Sequence, residues 1–245
     1  MTMRLHIGAP KLVGSLENYS RKFGYLEVAP FAAGAPSAAT LRKWRKQVPP
    51  TFEFGVVMGP RASLLEDSDE ARAEVIAAIA VADALASKVF KLVTPRDVTP
   101  APKWRARLAA LVSQLPRDVH HIVWEPSGLW ELEDATKLAR ELGLVLSVDP
   151  AKDEPPVGNV VFGCLRALGE TRSFGEASLA RVIVAVGLRK DFYLVLDTPA
   201  ALREMATLKR LYADDDGAGD APVSRVIRPR QAPGEMRVTD DEQEE

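Results

Sequence analysis

Seven ionisable residues interrupt or end apolar runs: His6 in "RLHIG", Glu27 in "YLEVA", Lys91 in "KVFKLV", Glu125 in "HHIVWE", Asp149 in "LVLSVD", Arg166 in "VVFGCLRA" and Asp197 in "FYLVLD". Glu125-Pro126 and Asp149-Pro150 are the sharpest cases, because each run stops in a carboxylate followed by proline. Carboxylates so placed can do general acid–base work, and Lys or Arg beside them can hold an anion. Glu27, Glu125 and Asp149 could also offer oxygen ligands to Mg²⁺ or Mn²⁺. Nothing requires that metal: there is no H-E-x-x-H and no histidine-rich spacing. No metal ligand is therefore assigned, and any cofactor is left open. The single cysteine, Cys164, excludes a thiolate cage and an internal disulfide. No G-x-S-x-G is present, which removes a Ser-His-Asp hydrolase of that type. A glycosidase reading would turn on the separation of two carboxylates, which a sequence does not contain.

The elements that must carry these residues alternate along the chain. The seven runs above and "FEFGVVM" make eight candidate strands. Helical patterns lie between them at 15–23, 37–47, 68–85, 102–114, 131–142, 176–186 and 199–212, with Ser37 and Ser68 placed as N-caps and Gly24 and Gly143 just past helix ends. The connection 150–159 is short and proline-rich, and no helix is expected there. Alternation through eight strands implies parallel pairing, since each crossover consumes a helix. The expected fold is an α/β TIM (β/α)8 barrel over 1–212. A doubly wound open sheet lacks its fingerprint, because no G-x-G-x-x-G follows the first strand.

In such a barrel one parity of each strand faces the helices and the other faces the axis. In "LVLSVD" the leucines and Val148 take the helix side, which leaves Val145, Ser147 and Asp149 inward. The same rule turns Lys91 inward between Val89 and Val93, Glu125 with Val123, Asp197 with Tyr193 and Val195, Glu27 with Tyr25, Arg166 with Cys164, and His6 with Gly8. Most of the seven sit at the C-terminal ends of their strands, the face where barrel enzymes place their sites. Charges buried there must be paired or serve a ligand. Pairing alone would satisfy them, Glu125 with Arg166 or Asp149 with Lys91. Trp124 has the helix-facing parity of a core residue, and Trp130, in the loop after the fifth strand, is expected to line the mouth.

Composition bounds the function classes. The chain has 245 residues, 47% of them apolar, and a formal net charge of −2. From Ala213 onward there are ten acidic and four basic residues, which leaves 24 acidic and 28 basic residues in 1–212. A mildly basic body suits a small anionic ligand and is too weak a bias for nucleic acid. Residues 213–245 lose periodicity and are expected to be a disordered, charged tail. No apolar stretch is long enough to span a membrane and nothing near Met1 resembles a signal peptide, so a cytoplasmic location is expected.

The stretch "FGYLEVAPF", then "PSAATLRKWRKQVPPTFEFGVVMGPR", "WEPSGLW", "LSVDP" and "CLRALG" together resemble the YecE-like family, domain of unknown function 72, across roughly residues 4–212. The resemblance implies a TIM barrel and supplies no established activity. Glu27, Trp44, Glu125, Trp130, Asp149 and Arg166 fall on positions the family pattern favours. Elsewhere the chain departs from it: Val57 replaces a lysine, Ser127 an arginine, Leu168 a histidine, Lys91 a glutamine, and Leu196-Asp197 a pair of asparagines, while the asparagine after the strand-two glutamate is missing.

Three readings compete. The first is a hydrolase or lyase on a small anionic substrate, with Arg166 and Lys91 holding the anion, Glu125 or Asp149 as base, and Glu27, Trp130, Asp197 and His6 lining the site. The second is a barrel that binds a ligand without chemistry. The third is a protein-interaction module that uses the acidic tail and "SRVIRPR".

Overall fold

β-Branched and aromatic residues dominate the eight runs, and Gly, Pro, Asp or Asn bound them, so each forms a short strand. The structure, a computed structural model, describes residues 3–32, 35–117, 121–167, 173–187 and 189–217, with side chains to 213. Its strands are β1 (Arg4–Ala9), β2 (Tyr25–Val28), β3 (Glu53–Val57), β4 (Val89–Thr94), β5 (His121–Pro126), β6 (Val145–Val148), β7 (Val160–Arg166) and β8 (Asp191–Asp197). Each pairs in parallel with the next in chain order, and β8 closes on β1 with His6 level with Tyr193. The closed eight-stranded barrel is the expected fold.

The helices are α1 (Leu16–Ser20), α2 (Ala38–Gln47), α3 (Pro60–Ser63), α4 (Asp69–Leu85), α5 (Pro102–Val112), α6 (Leu132–Leu142), α7 (Glu176–Val186) and α8 (Ala201–Gly217). Ser37 and Ser68 cap α2 and α4 by accepting from the N–H of Thr40 and Ala71. Gly143 ends α6 in the left-handed conformation at φ 68°. Residues 150–159 join β6 to β7 without a helix.

Three details differ from the sequence reading. α1 is one short turn rather than 15–23: the Tyr19 hydroxyl turns inward, accepting from Ala9 N and donating to Tyr25 O, each at 2.8 Å. Gly24 is accordingly no helix cap; its N–H joins the Ile7 carbonyl at the entry to β2. α3, with Pro60 at its first position, is too short to show a helical period. α8 continues past 212 to Gly217, and the rest of the expected tail lies outside the described residues.

The apolar residues separate into two layers. Phe54, Phe90, Leu92, Trp124, Leu146 and Leu194 belong to the large cluster between sheet and helices. Tyr25, Val89, Val123, Phe162, Cys164, Tyr193 and Val195 fill the barrel itself. These are the two strand parities. The Tyr25 ring needs unusual room: a Cβ at Gly8 would lie 2.4 Å from the Tyr25 carbonyl oxygen, and one at Gly55 1.9 Å from its hydroxyl. Only glycine fits at either place. Among the described residues no helix is long and apolar enough to cross a membrane.

Candidate functional site

Strand ends β2, β4, β5 and β7 bring Glu27, Lys91, Glu125 and Arg166 together above the aromatic filling of the barrel. Lys91 is central. Its Nζ donates to Glu27 Oε1 at 2.7 Å and reaches Glu125 Oε2 at 3.1 Å. It also lies 5.2 Å from the centre of the Phe162 ring. Glu125 Oε1 accepts from Arg166 Nη2, and Ser147 Oγ approaches its other oxygen at 3.4 Å. Arg166 then faces Asp197, with Nε 3.8 Å from Oδ2. Glu27, Lys91 and Glu125 are buried, whereas Arg166 and Asp197 keep 44% and 50% of their side chains exposed. The cluster therefore runs from sealed charges to charges at the solvent edge.

Pairing decides the protonation states. Burial alone would lower the Lys91 amine, but Glu27 and Glu125 outweigh it and push it up to about 12. Burial would raise the Glu125 carboxyl, yet Lys91 and Arg166 together hold it below its ordinary value. Burial pushes the Glu27 carboxyl up, with Lys91 offsetting part of the effect. Burial likewise lifts the Cys164 thiol to about 12, which removes it as a nucleophile near neutrality.

Asp149 and Trp130 border the same opening without joining this network. Asp149 stands one residue beyond β6, where its Oδ1 accepts from Ala151 N at 3.1 Å and its Oδ2 meets Lys152 at 3.0 Å. The alternative pairing of Asp149 with Lys91 does not form. Trp130 donates to the Val98 carbonyl at 2.7 Å and packs edge-on against Trp124 at 4.9 Å. Trp124 itself is buried on the helix side and donates to Thr94 Oγ1 at 3.1 Å. A pocket of about 290 Å³ opens among Glu125, Trp130, Asp149, Lys152, Cys164 and Arg166. Ser127 lines it too. Leu168 lies outside the described residues.

His6 is not part of the mouth. Its ring faces inward as parity requires, but it stacks on Tyr193 at 4.5 Å and its Nε2 sits 3.3 Å from Asp191 Oδ1. Asp191 begins β8, at the N-terminal end of the barrel, and takes a two-pronged hydrogen bond from Arg4 at 2.6 and 2.7 Å. Parity assigns a side of the sheet, and the height along the axis comes from strand register. The same parity also turns Glu53 and Asp191 inward, and it could have found both. Glu53 is buried and takes its countercharge from Lys88 at 2.8 Å. Lys152 was missed because it belongs to a turn, where no periodicity points.

Among the described residues no three His, Cys, Asp or Glu side chains gather as a metal cage. Glu27 and Glu125 are both turned to Lys91, and Asp149 to its own turn, so these three possible oxygen donors do not converge.

A closed parallel barrel with its charge cluster at the C-terminal ends of the strands is a TIM barrel. Residues 8–219 match the model of the family described as protein of unknown function DUF72, and the chain belongs to that family. Among solved structures it is similar to a DUF72 family protein from Enterococcus faecalis V583, at 14% identity and a TM-score of 0.65 over 94% of this chain and 100% of that one. A DUF72 family protein from Thermotoga maritima MSB8 aligns at 16% identity and 0.63, over 85% and 99%. A xylose isomerase domain containing protein from Salmonella typhimurium LT2 aligns at 14% and 0.56, over 88% and 96%. At these identities the likeness concerns the fold. No curated protein matches the chain.

Proposed function

We propose that this barrel is a hydrolase or lyase that takes a small anionic substrate in the pocket between β5, β6 and β7. The observation that carries this reading is the half-exposed Arg166 at that pocket, with one nitrogen bound to a sealed carboxylate, another facing Asp197, and 44% of its side chain exposed. A guanidinium has five donors, and Glu125 and Asp197 occupy only part of them. Lys152 supplies a second cation on the pocket wall. Lys91 is a poor anion holder, because two carboxylates already enclose it. Glu125 likewise has both oxygens engaged, so its role is to position Arg166 and Lys91. Asp149 becomes the general base, accepting a proton from water or from the substrate carbon or hydroxyl beside the anion. The pocket's size lies near the lower end of ligand sites, about 300–1,000 Å³, and selects a small metabolite.

The full enclosure of Lys91 favours a second reading, a barrel that binds the same anion, or a protein partner, without chemistry. Calorimetry with inorganic phosphate, small sugar phosphates and short hydroxy acids tests both. Arg166→Met should weaken anion binding by about 10- to 150-fold, the value of a charged hydrogen bond. Asp149→Asn should leave binding intact and lower turnover by about 10²- to 10⁴-fold. Binding without turnover of any bound anion selects the second reading. Anion binding indifferent to Arg166→Met refutes both.

A further inference from the structure

We propose a second ligand site, between β8, β1, α1 and the start of α8, that takes an anionic amphiphile: a molecule with an apolar body and a single acid head. It shares no lining residue with the proposed catalytic pocket; Asp197, on the wall of this cavity, faces Arg166 of that pocket. The shortness of α1 creates it. One helical turn does not cover the flank of the barrel between β1 and α8, and a cavity of about 810 Å³ remains there. That is within the range of small-molecule sites and well above the 290 Å³ of the mouth pocket. Its walls are mainly apolar, with Tyr19, Phe23 and Leu196 at depth, and Val13 and Leu202, 69% and 49% exposed, at the rim.

Both walls are held in place without a ligand. The Tyr19 hydroxyl bridges Ala9 and Tyr25, so both its hydrogen-bonding functions are used and only its ring faces the space. On the opposite side buried Glu204 accepts from Thr198 Oγ1 and from Phe174 N, which pins the start of α8. Such a preformed apolar cavity costs little ordering on binding.

The charges around it name the head group. Lys11, Lys22 and Arg203 border the cavity, and among the described residues none of the three has a carboxylate within ion-pair distance. In the mouth every cation is paired. The first turn of α8 adds the positive end of a 17-residue helix to the same space. These three cations outnumber the one carboxylate on the wall, Asp197, which faces Arg166, and around an apolar hollow they complement a carboxylate or sulfonate on a hydrocarbon or aromatic body.

The test compares decanoate with decanol by calorimetry on the full chain. Decanoate should bind saturably at one site, and decanol at least about tenfold more weakly. Lys11→Glu with Arg203→Glu, both on the surface, should bring decanoate down to the decanol level, a loss of about tenfold or more. Arg166→Met should leave decanoate binding unchanged, which separates this site from the mouth. The proposal is overturned if decanol binds as tightly, if charge reversal has no effect, or if Arg166→Met abolishes binding. It is also overturned if decanoate does not bind and the chain instead floats with phosphatidylglycerol vesicles.

Discussion

Replacing Lys91 by methionine removes the one cation that buried Glu27 has within bonding distance among the described residues. The side chain is 3% exposed and that of Glu27 7% exposed, so water cannot take over the lost contact. The amine stays charged up to about 12 against an ordinary 10.5, a preference worth about 2 kcal/mol. That preference is part of the whole cost of orphaning the carboxylate, about 3–5 kcal/mol for a broken buried pair. For a barrel of this size that lowers the thermal midpoint by about 6–20 °C. The pH dependence carries the sharper signature. In the variant Glu27 keeps its burial and loses its cation, so its folded pKa rises further above the unfolded value. The folded state then binds the extra proton, and stability falls as pH rises from the unfolded value toward the folded one. The deficit should be small near pH 5 and full at pH 8, read by urea denaturation at both. Adding Glu27→Gln should recover most of it at pH 8. A deficit under about 1 kcal/mol, or one equal at both pH values, would refute the view that Lys91 is present to neutralise these carboxylates.

Tyr25 provides an independent check on packing: among the described residues its hydroxyl is buried without a hydrogen-bond partner, so Tyr25→Phe should be neutral or stabilise by about 1–2 kcal/mol in chemical denaturation, and a loss of stability would show an unseen partner such as a bridging water. At the other end of the barrel, burial would raise the Asp191 carboxyl, but the hydrogen bonds from Arg4 and His6 hold it below its ordinary value. Its contribution is therefore present above the unfolded carboxylate pKa and lost as pH falls through the depressed folded one. Asp191→Asn should flatten the acid limb of the stability curve, and an unchanged limb would place acid sensitivity elsewhere.

Strand–helix alternation revealed the barrel, and the inward set was legible because apolar residues hold the helix-facing parity while ionisable ones recur on the other. Lys91 between Val89 and Val93, flanked by outward Phe90 and Leu92, could be oriented from that pattern alone. What alternation omits is height. His6 and Glu27 share a parity, but register places His6 level with Tyr193, near Asp191, and Glu27 level with Gly55, near Lys91. Asp149 illustrates a second limit. It has the inward parity, yet it lies just past β6, where the chain has begun to turn and the side chain caps Ala151 instead of entering the cluster. The cavity beside α1 was invisible for a related reason: a helical pattern over 15–23 does not disclose that Tyr19 and Gly24 are spent on β1 and β2.

The ring of Tyr25, with Phe162 and Tyr193 against it at 5.9 and 5.4 Å, acts as a bulkhead across the barrel. Among the described residues the Tyr25 hydroxyl at its centre has no hydrogen-bond partner, so no described hydrogen bond links the mouth cluster through it to His6 and Asp191. Substitutions at Glu125 and at Asp191, which share no described partner, should then add without coupling. Independence of that kind leaves the mouth free to change residue by residue while Arg4, His6 and Asp191 keep their contacts at the other end of the barrel.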